Sequence, residues 1–251
     1  METALKTVQI LGIRFYNDNL EAALEIAHND GGLFLAPSGP GLAELGKNPY
    51  YDQALQAADI NLIDSGYLAL LWKKRCGESL QRHSGLKFIQ SLIAAPRFKG
   101  NPRQLWVMPD QSHSDATQQY LATQNIQLEN QQCYLAPHYT EFPIEDQALL
   151  DTIREQRPDY VILTIAGGKQ EVLGHWLRDR LDYTPTIICI GAAIAFLTGK
   201  QANIPAWADR IYIGWLLRVI TDPKRFIPRY WKARKLKQIL HTFGEQAPKQ
   251  G

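Results

Sequence analysis

The sequence predicts an α/β fold in which helices cover both faces of a parallel sheet and a helical, basic appendage follows. Its 251 residues, 45% of them hydrophobic and 21% charged, suit one large globular α/β domain. Strand-like runs alternate with stretches of helical spacing, and the runs are apolar almost throughout, as strands buried on both faces are. We expect the α/β domain to occupy residues 1–202 and the appendage residues 203–251.

The predicted elements follow one another in a regular order. Stripes of apolar residues at helical spacing begin at Leu20 and at Leu149, and a short helix is predicted over Ala192–Thr198, after the last strand. The predicted strands are Val8–Ile13, Gly32–Leu35, Ile60–Ile63, Gln104–Met108, Gln132–Leu135, Tyr160–Ile165 and Thr186–Ile190.

Composition and missing motifs argue against several classes of protein. The three cysteines lie far apart and form no CxxC, which disfavours a disulfide framework and a structural zinc site. The N-terminus lacks the pattern of a secretory signal and no apolar run has the about 20 residues of a membrane span, so we expect a cytoplasmic protein. The sequence contains no GxGxxG after the first strand, no P-loop, no HExxH and no GxSxG, which weakens dinucleotide-binding, metallohydrolase and serine-hydrolase interpretations.

Charge is distributed unevenly along the chain. Nine basic residues and one acid, Asp222, give Arg210–Lys237 a charge of +8, so the rest of a chain whose net charge is +2 carries −6. Five aromatic residues are interleaved with these cations. We therefore expect an anionic partner at the C-terminus. A lipid headgroup layer or a diphosphate ligand fits, and nucleic acid is the rival, although no RNP, helix-turn-helix or zinc-finger signature supports it.

Two loops at predicted strand ends hold candidate site residues, because the ligand crevice of an open α/β sheet lies beyond the carboxyl ends of its strands. Asp64 directly follows one strand, where it acts either as a general base or as the cap of the next helix. The loop Gly167–Glu171 follows another strand. Its backbone N–H groups and Lys169 suit a phosphate, or it is an ordinary turn whose Glu171 complements a helix dipole.

An ordered set of short segments carries a further pattern. The segments are Ala57–Asp64, Arg82–Gly85, Arg157–Leu163 with Lys169–Glu171, Phe196–Gly199, Pro205–Trp207, Trp215–Arg218 and Asp222–Tyr230. No single segment is specific. Their order over nearly the whole chain resembles the WecG/TagA/CpsF glycosyltransferases of bacterial cell-surface polysaccharide synthesis.

The resemblance implies a Rossmann-like, inverting, metal-independent glycosyltransferase that needs no cofactor. It implies a UDP-sugar donor, of the N-acetylmannosamine type or a hexose, and a polyprenyl-diphosphate-linked saccharide acceptor. The protein would be peripherally associated with the inner face of the plasma membrane; no nucleic-acid partner is expected, and a homo-oligomer is left open. Asp64 is implied as the base that deprotonates the acceptor hydroxyl. The implied substrate-binding residues are Ser38, Arg82, Gly85, Lys169, Gln170, Glu171, Gly191, Arg218, Arg225 and Arg229.

The chain departs from the family pattern around the implied pocket. Ser38 stands where Asn is usual, Ala195 where an Asp is usual, and Gly214 where a Glu is usual. These departures motivate an alternative hypothesis: a non-catalytic relative that acts as a membrane-recruited partner of other glycosyltransferases. The retained Asp64 and the arginines of the appendage favour an active enzyme.

Overall fold

One sheet of eight strands organises the computed structural model, which describes residues 5–191, 193–200 and 223–249. The strand order is β1-β2-β4-β3-β8-β7-β5-β6, and every pairing is parallel except that of β1 with β2. The predicted α/β fold is therefore confirmed, and its predicted parallel sheet has one antiparallel strand, β1, at its edge. The strands are β1 (Thr7–Ile10), β2 (Ile13–Tyr16), β3 (Gly32–Leu35), β4 (Ile60–Asn61), β5 (Gln104–Met108), β6 (Cys133–Leu135), β7 (Tyr160–Leu163) and β8 (Thr186–Cys189).

The predicted first strand, Val8–Ile13, is wrong: a hairpin occupies this region. Leu11 and Gly12 form its two-residue turn with φ of 54° and 76°, and Ile10 pairs with Ile13 across it. Two positive φ values suit the tight turns whose twist matches that of the flanking strands. The strands β4, β7 and β8 end one or two residues before their predicted ends, since the chain leaves the ladder there to form the loops of the carboxyl edge.

Two layers of helices cover the sheet, and neighbouring strand residues face opposite layers. Leu33 and Leu35 belong to the core under the first layer and Phe34 to the core under the second. The first layer contains α2 (Gly39–Leu42), α3 (Pro49–Ala57), α4 (Gly66–Cys76), α8 (Gln147–Gln156), α9 (Gln170–Arg178) and α12 (Lys235–Phe243). The second contains α1 (Leu20–Asn29), α5 (Gly85–Ala94), α6 (Pro96–Lys99), α7 (Gln111–Thr123) and α10 (Ala193–Leu197). A 3₁₀ turn, Asn130–Gln132, precedes β6.

Local sequence explains where most of these helices begin. Seven of them start after an Asn, Ser or Asp whose side chain accepts a hydrogen bond from the first turn, which satisfies N–H groups that have no partner within the helix. The apolar stripes predicted from Leu20 and Leu149 are buried in α1 and α8. The helix predicted from Ala192 begins at Ala193, and Ala192 itself lies outside the described residues.

Two C-terminal helices return to the body of the protein. Helix α11 (Pro223–Ala233) packs against α2 and continues almost directly into α12, which packs against α2 and α4. Leu236 and Leu240 of α12 are buried in the core of the first layer. Residues 201–222 lie outside the described part of the chain, so the domain boundary near residue 202 stays a prediction.

Candidate active site

Asp64 lies at the carboxyl edge of the sheet, just beyond β4, and is half-buried. Its Oδ1 accepts a hydrogen bond from the backbone N–H of Gly85 (3.0 Å), and its carbonyl oxygen accepts one from Nε of Arg82 (2.9 Å). Gly85 is the first residue of α5, where the helix dipole favours a negative charge. Three of the residues singled out in the sequence are thus brought together in one small cluster.

The segment that carries Arg82 and Gly85 is fixed by the loop that follows β2. Asn17 Oδ1 accepts from the N–H of Gln81 (2.7 Å), and His83 donates from Nε2 to the carbonyl of Asp18 (2.6 Å). His83 is buried, and burial lowers its pKa below the usual 6.5, so its imidazole is neutral near pH 7. The loops after β2 and β4 therefore hold the segment between them.

Asp64 does not cap the helix that follows it. Ser65 does: its Oγ accepts from the N–H of Leu68 (3.1 Å) at the start of α4. The carboxylate of Asp64 instead reaches across to another helix, α5. The simpler interpretation of Asp64, as the cap of the next helix, is therefore wrong.

The loop after β7 is braced by two buried side chains, Gln170 and Glu171, each 2% exposed. Glu171 Oε2 accepts from the N–H of Gly168 (2.6 Å), and its Oε1 accepts from Nε2 of Gln170 (3.2 Å). Gln170 Oε1 in turn accepts from the N–H of Gly191 (2.6 Å), at the end of β8. These residues tie two adjacent strand ends together. In the described part of the chain, nothing lies within 4 Å of a Cβ built at Gly168.

Lys169 is engaged outside this chain of hydrogen bonds. Its ammonium donates to the backbone carbonyl of Tyr139, in the loop after β6. The Tyr139 hydroxyl donates to the buried Asp146 (2.6 Å), which caps α8. Burial and the carboxylate of Asp146 raise the pKa of Tyr139 well above its usual value, so it remains protonated. Sequence reasoning missed Tyr139, because no motif marks a loop residue that contacts the site only in the folded chain.

The loop after β3 completes the edge. Ser38 caps α2, with its Oγ accepting from the N–H of Gly41 (3.4 Å), and a Cβ at Gly39 would lie 2.8 Å from Oγ of Ser65. A Cβ at Gly85 would lie 3.2 Å from Cβ of Ala36 and 3.8 Å from the carbonyl oxygen of Ile190, the residue before Gly191. The Asp64 cluster and the Gly191 cluster are therefore neighbours across the ends of β4, β3 and β8.

The structure describes only some of the basic residues of the appendage. Helix α11 contains positions 225 and 229, and its packing against α2 brings its backbone next to the helix that Ser38 caps. The side chains of Arg225 and Arg229 lie outside what the structure describes, and so does all of Arg218. For these three arginines a role at the site stays a prediction.

The described residues contain neither a metal-binding cluster nor a membrane-spanning helix. Within residues 5–191, 193–200 and 223–249, no group of three or more His, Cys, Asp or Glu side chains is arranged to hold a metal ion. No helix in that part of the chain is long and apolar enough to cross a bilayer.

Comparison with known proteins decides the family. The profile described as “Glycosyl transferase WecG/TagA/CpsF family” matches residues 8–248. The chain belongs to the WecG/TagA/CpsF family. A curated relative is the N-acetylglucosaminyldiphosphoundecaprenol N-acetyl-beta-D-mannosaminyltransferase of Bacillus spizizenii. It is 23% identical over 206 residues, which cover 79% of this chain and 77% of the relative.

Membership of the WecG/TagA/CpsF family confirms the resemblance seen in the sequence and makes the protein a glycosyltransferase. The match extends through α11 and α12, so the C-terminal helices belong to the family's shared chain and are no unrelated extension. The sheet edge that carries Asp64, Arg82, Gly85 and Gly191 is accordingly the candidate active site of this WecG/TagA/CpsF protein.

Proposed function

We propose that this protein transfers a sugar from a UDP-sugar to a hydroxyl group of a polyprenyl-diphosphate-linked saccharide, with Asp64 as the general base. The observation that carries the proposal is the place of Asp64 in a WecG/TagA/CpsF chain. It is a half-buried carboxylate at the carboxyl edge of the sheet, held by the N–H of Gly85. Ligands of open α/β sheets bind at this edge.

The proposed reaction is a single displacement at C1 of the donor sugar. Asp64 takes the proton of the acceptor hydroxyl as its oxygen forms the bond to C1. The bond from C1 to the diphosphate breaks, and UDP leaves with the bonding electron pair. An α-linked donor then gives a β-linked product. The relative's printed name describes a β-linked N-acetylmannosaminyl transfer to N-acetylglucosaminyl-diphosphoundecaprenol, which supports this stereochemistry and acceptor class for the present chain.

Negative charge develops on the departing diphosphate, so the site needs positive charge or a metal there. We assign this task to the arginines at positions 218, 225 and 229, because a guanidinium forms paired hydrogen bonds with phosphate oxygens. The packing of α11 against α2 supports the assignment. With these cations in place the reaction is proposed to need no divalent metal and no cofactor.

The donor is proposed to lie over the loop after β7 and the end of β8. Within residues 5–191, 193–200 and 223–249, a Cβ at Gly168 would meet nothing within 4 Å, and one at Gly167 would meet only Glu171 Oε1, at 3.9 Å, so this part of the chain leaves room for a ligand close to the backbone. Gln170 and Glu171 then act by holding Gly168 and Gly191 in place. Ser38, Arg82, Gly85 and Lys169 complete the proposed substrate-binding set.

The exposed face of α11 is proposed to contact the inner membrane surface. Ile227 and Trp231, one helical turn apart, are 51% and 67% exposed, and the guanidinium of Arg234 lies 4.5 Å from the centre of the Trp231 ring. Lys224 is exposed one turn earlier. Apolar and aromatic side chains flanked by cations suit an anionic lipid surface. Trp231→Ala should weaken binding to anionic vesicles about tenfold in a sedimentation assay, since one interfacial Trp is lost.

The test of the proposed function is a transfer assay joined to a binding measurement. The purified protein is titrated with UDP and a panel of UDP-sugars, with and without EDTA, and the sugar that binds best is then offered with a lipid-diphosphate-linked N-acetylglucosamine. Binding of one donor without metal, followed by transfer, is the expected result. Binding without transfer to any such acceptor would favour the non-catalytic partner. An absence of UDP binding, in detergent and on vesicles alike, would contradict the proposal.

A further inference from the structure

The last residues of the described chain are joined to the N-terminal hairpin by two backbone hydrogen bonds. The N–H groups of Leu11 and Gly12 donate to the carbonyl oxygens of Gly244 (2.9 Å) and Glu245 (2.7 Å). Leu11 and Gly12 form the two-residue turn between β1 and β2, so their N–H groups lie outside the ladder of the hairpin. Carbonyl groups that follow α12 therefore accept hydrogen bonds from both N–H groups of the turn in the sheet's first hairpin.

Arg75, near the end of α4, holds the end of α12. Its Nη1 donates to the carbonyl oxygens of Leu240 and His241, both at 3.2 Å. These carbonyls lie in the last turn of α12, where the helix dipole favours a cation. The carbonyl of Leu240 also accepts from the N–H of Gly244. Gly244 follows with φ of 59°, and a Cβ there would lie 2.7 Å from Nη2 of Arg75. The guanidinium thus occupies the space that a side chain at position 244 would need.

The tail beyond Gly244 packs closely against two further glycines. A Cβ at Gly12 would lie 2.5 Å from the Cβ of Ala247, and one at Gly46 would lie 3.0 Å from the carbonyl oxygen of Lys249. Gly46 belongs to the connection between α2 and α3. The tail therefore runs from the end of α4, across the hairpin, to the region of α2, the same helix against which α11 packs.

We propose that Arg75 and Gly244–Lys249, together called the anchor, position α11 beside the active site and so contribute to the reaction without touching the substrates. The inference rests on the proposed function, in which arginines of α11 hold the leaving diphosphate. Helix α11 packs against α2, which has only four residues, and a single residue in α-helical conformation, Arg234, joins it to α12. Fixing the far end of α12 therefore fixes the direction in which α11 approaches the site.

The test compares substitutions at two glycines of similar positive φ. Gly12 and Gly77 have φ of 76° and 77°, but no described residue lies within 4 Å of a Cβ at Gly77, whereas one at Gly12 would displace Ala247. Gly12→Ala should therefore release the anchor and Gly77→Ala should not. Arg75→Ala and Arg75→Lys form a second pair, in which the lysine keeps the charge at the end of α12 and is expected to restore part of the effect.

Two readouts are measured on the full-length variants. Tryptic cleavage between Lys224 and Lys237, followed by mass spectrometry, reports how often α11 and α12 open, and Gly12→Ala should raise its rate about tenfold over Gly77→Ala, the value of roughly one or two lost hydrogen bonds. Steady-state kinetics, at a temperature where both variants are folded, should show a higher KM for the UDP-sugar in Gly12→Ala than in Gly77→Ala.

Equal cleavage in Gly12→Ala and Gly77→Ala would show that the tail does not hold the helices, which overturns the anchor. Faster cleavage with unchanged KM and kcat would show that the anchor holds α11 but does not serve the reaction, which also overturns the proposal. A wild-type chain that neither binds UDP nor transfers sugar would refute the proposed function, whereas the tryptic comparison would still decide whether α11 is anchored.

Discussion

Two aspartates at opposite ends of β4 show how differently the two edges of the sheet use a carboxylate. Asp59, at the amino edge, is exposed; its Oδ2 accepts from the N–H of Leu33 (2.8 Å) and lies 3.6 Å from Nη1 of Arg178. Asp64, at the carboxyl edge, is half-buried and accepts from the first N–H of α5. One short motif thus supplies both a strand-pairing contact and the candidate catalytic base.

Asp159 repeats the amino-edge arrangement at β7. Its Oδ2 accepts from the N–H of Arg103 (2.9 Å), just before β5, and its Oδ1 pairs with the guanidinium of the same residue (2.9 Å). At this edge the carboxylates satisfy N–H groups where neighbouring strands begin. The role of an acidic residue in a family motif therefore depends on the edge of the sheet that it occupies. Substitutions at the amino edge should affect stability, and those at the carboxyl edge should affect activity.

The largest expected effect is that of Asp64→Asn at the carboxyl edge. The amide still accepts from the N–H of Gly85, so the fold is kept, but it cannot take a proton from the acceptor hydroxyl. Initial rates of transfer should fall by about 100-fold or more, the usual contribution of a general base. Calorimetry should show UDP binding unchanged. Wild-type turnover by this variant with a defined acceptor would show that Asp64 is not the base.

A smaller loss is expected from Arg225→Ala on α11. Loss of one charge-assisted hydrogen bond to the diphosphate should weaken UDP binding by about tenfold. The difference from the wild type should shrink as salt is added, because ions screen the attraction that has been removed. Lys237→Ala on α12 is the control for the loss of a positive charge, and an equal loss of UDP affinity in both variants would contradict a specific role for position 225.

At the amino edge, Asp59→Ala should affect stability alone. The substitution removes the acceptor for the N–H of Leu33, and since the site is exposed we expect the free energy of unfolding to fall by about 1 kcal/mol. Urea denaturation measures this loss, and transfer at a temperature where the variant is folded should equal that of the wild type. A loss of turnover comparable to that of Asp64→Asn would contradict the claim that Asp59 serves stability alone.

The smallest effect concerns His83 and the pH dependence of stability. Burial holds the pKa of His83 below 6.5. Just below pH 6.5, His83 therefore binds a proton in the unfolded chain but stays neutral in the folded chain. The free energy of unfolding should therefore fall as pH drops from 6.5 and level off below the folded pKa, with no contribution above 6.5. His83→Gln should reduce this slope between pH 6.5 and 5.5, by at most about 1.4 kcal/mol per pH unit. Identical slopes in both proteins would contradict the assignment.

Much of the fold follows from the sequence because the central strands are apolar throughout. The predicted bounds of β3 and β5 agree with the structure, and those of β7 and β8 differ only at their ends. The hairpin at Leu11 and Gly12 was not predicted, since a single glycine within an apolar run does not mark a turn whose other residue is a buried leucine. Strand order also needed the structure, because it depends on contacts between distant segments.

The site could be predicted only where a motif falls at a strand end. Asp64 and the loop around Gly168 were located in this way, and the structure brings Arg82 and Gly85 to Asp64. The contacts of Tyr139 with Lys169, and of Asp18 with His83, join loops from different strands and have no local signature. The anchor, likewise, depends on contacts of α4 and of the first hairpin with residues more than 160 positions further along the chain.

The stereochemistry of the product is the sharpest test of a single displacement at C1 of the donor sugar. Wild-type protein is incubated in EDTA with its α-linked UDP-sugar and a lipid-diphosphate-linked N-acetylglucosamine, and the new anomeric centre is assigned by NMR. If the reaction is a single displacement that needs no metal, the product is a β-linked disaccharide, and this is the result we expect. An α-linked product, which a single displacement cannot give from that donor, would contradict it.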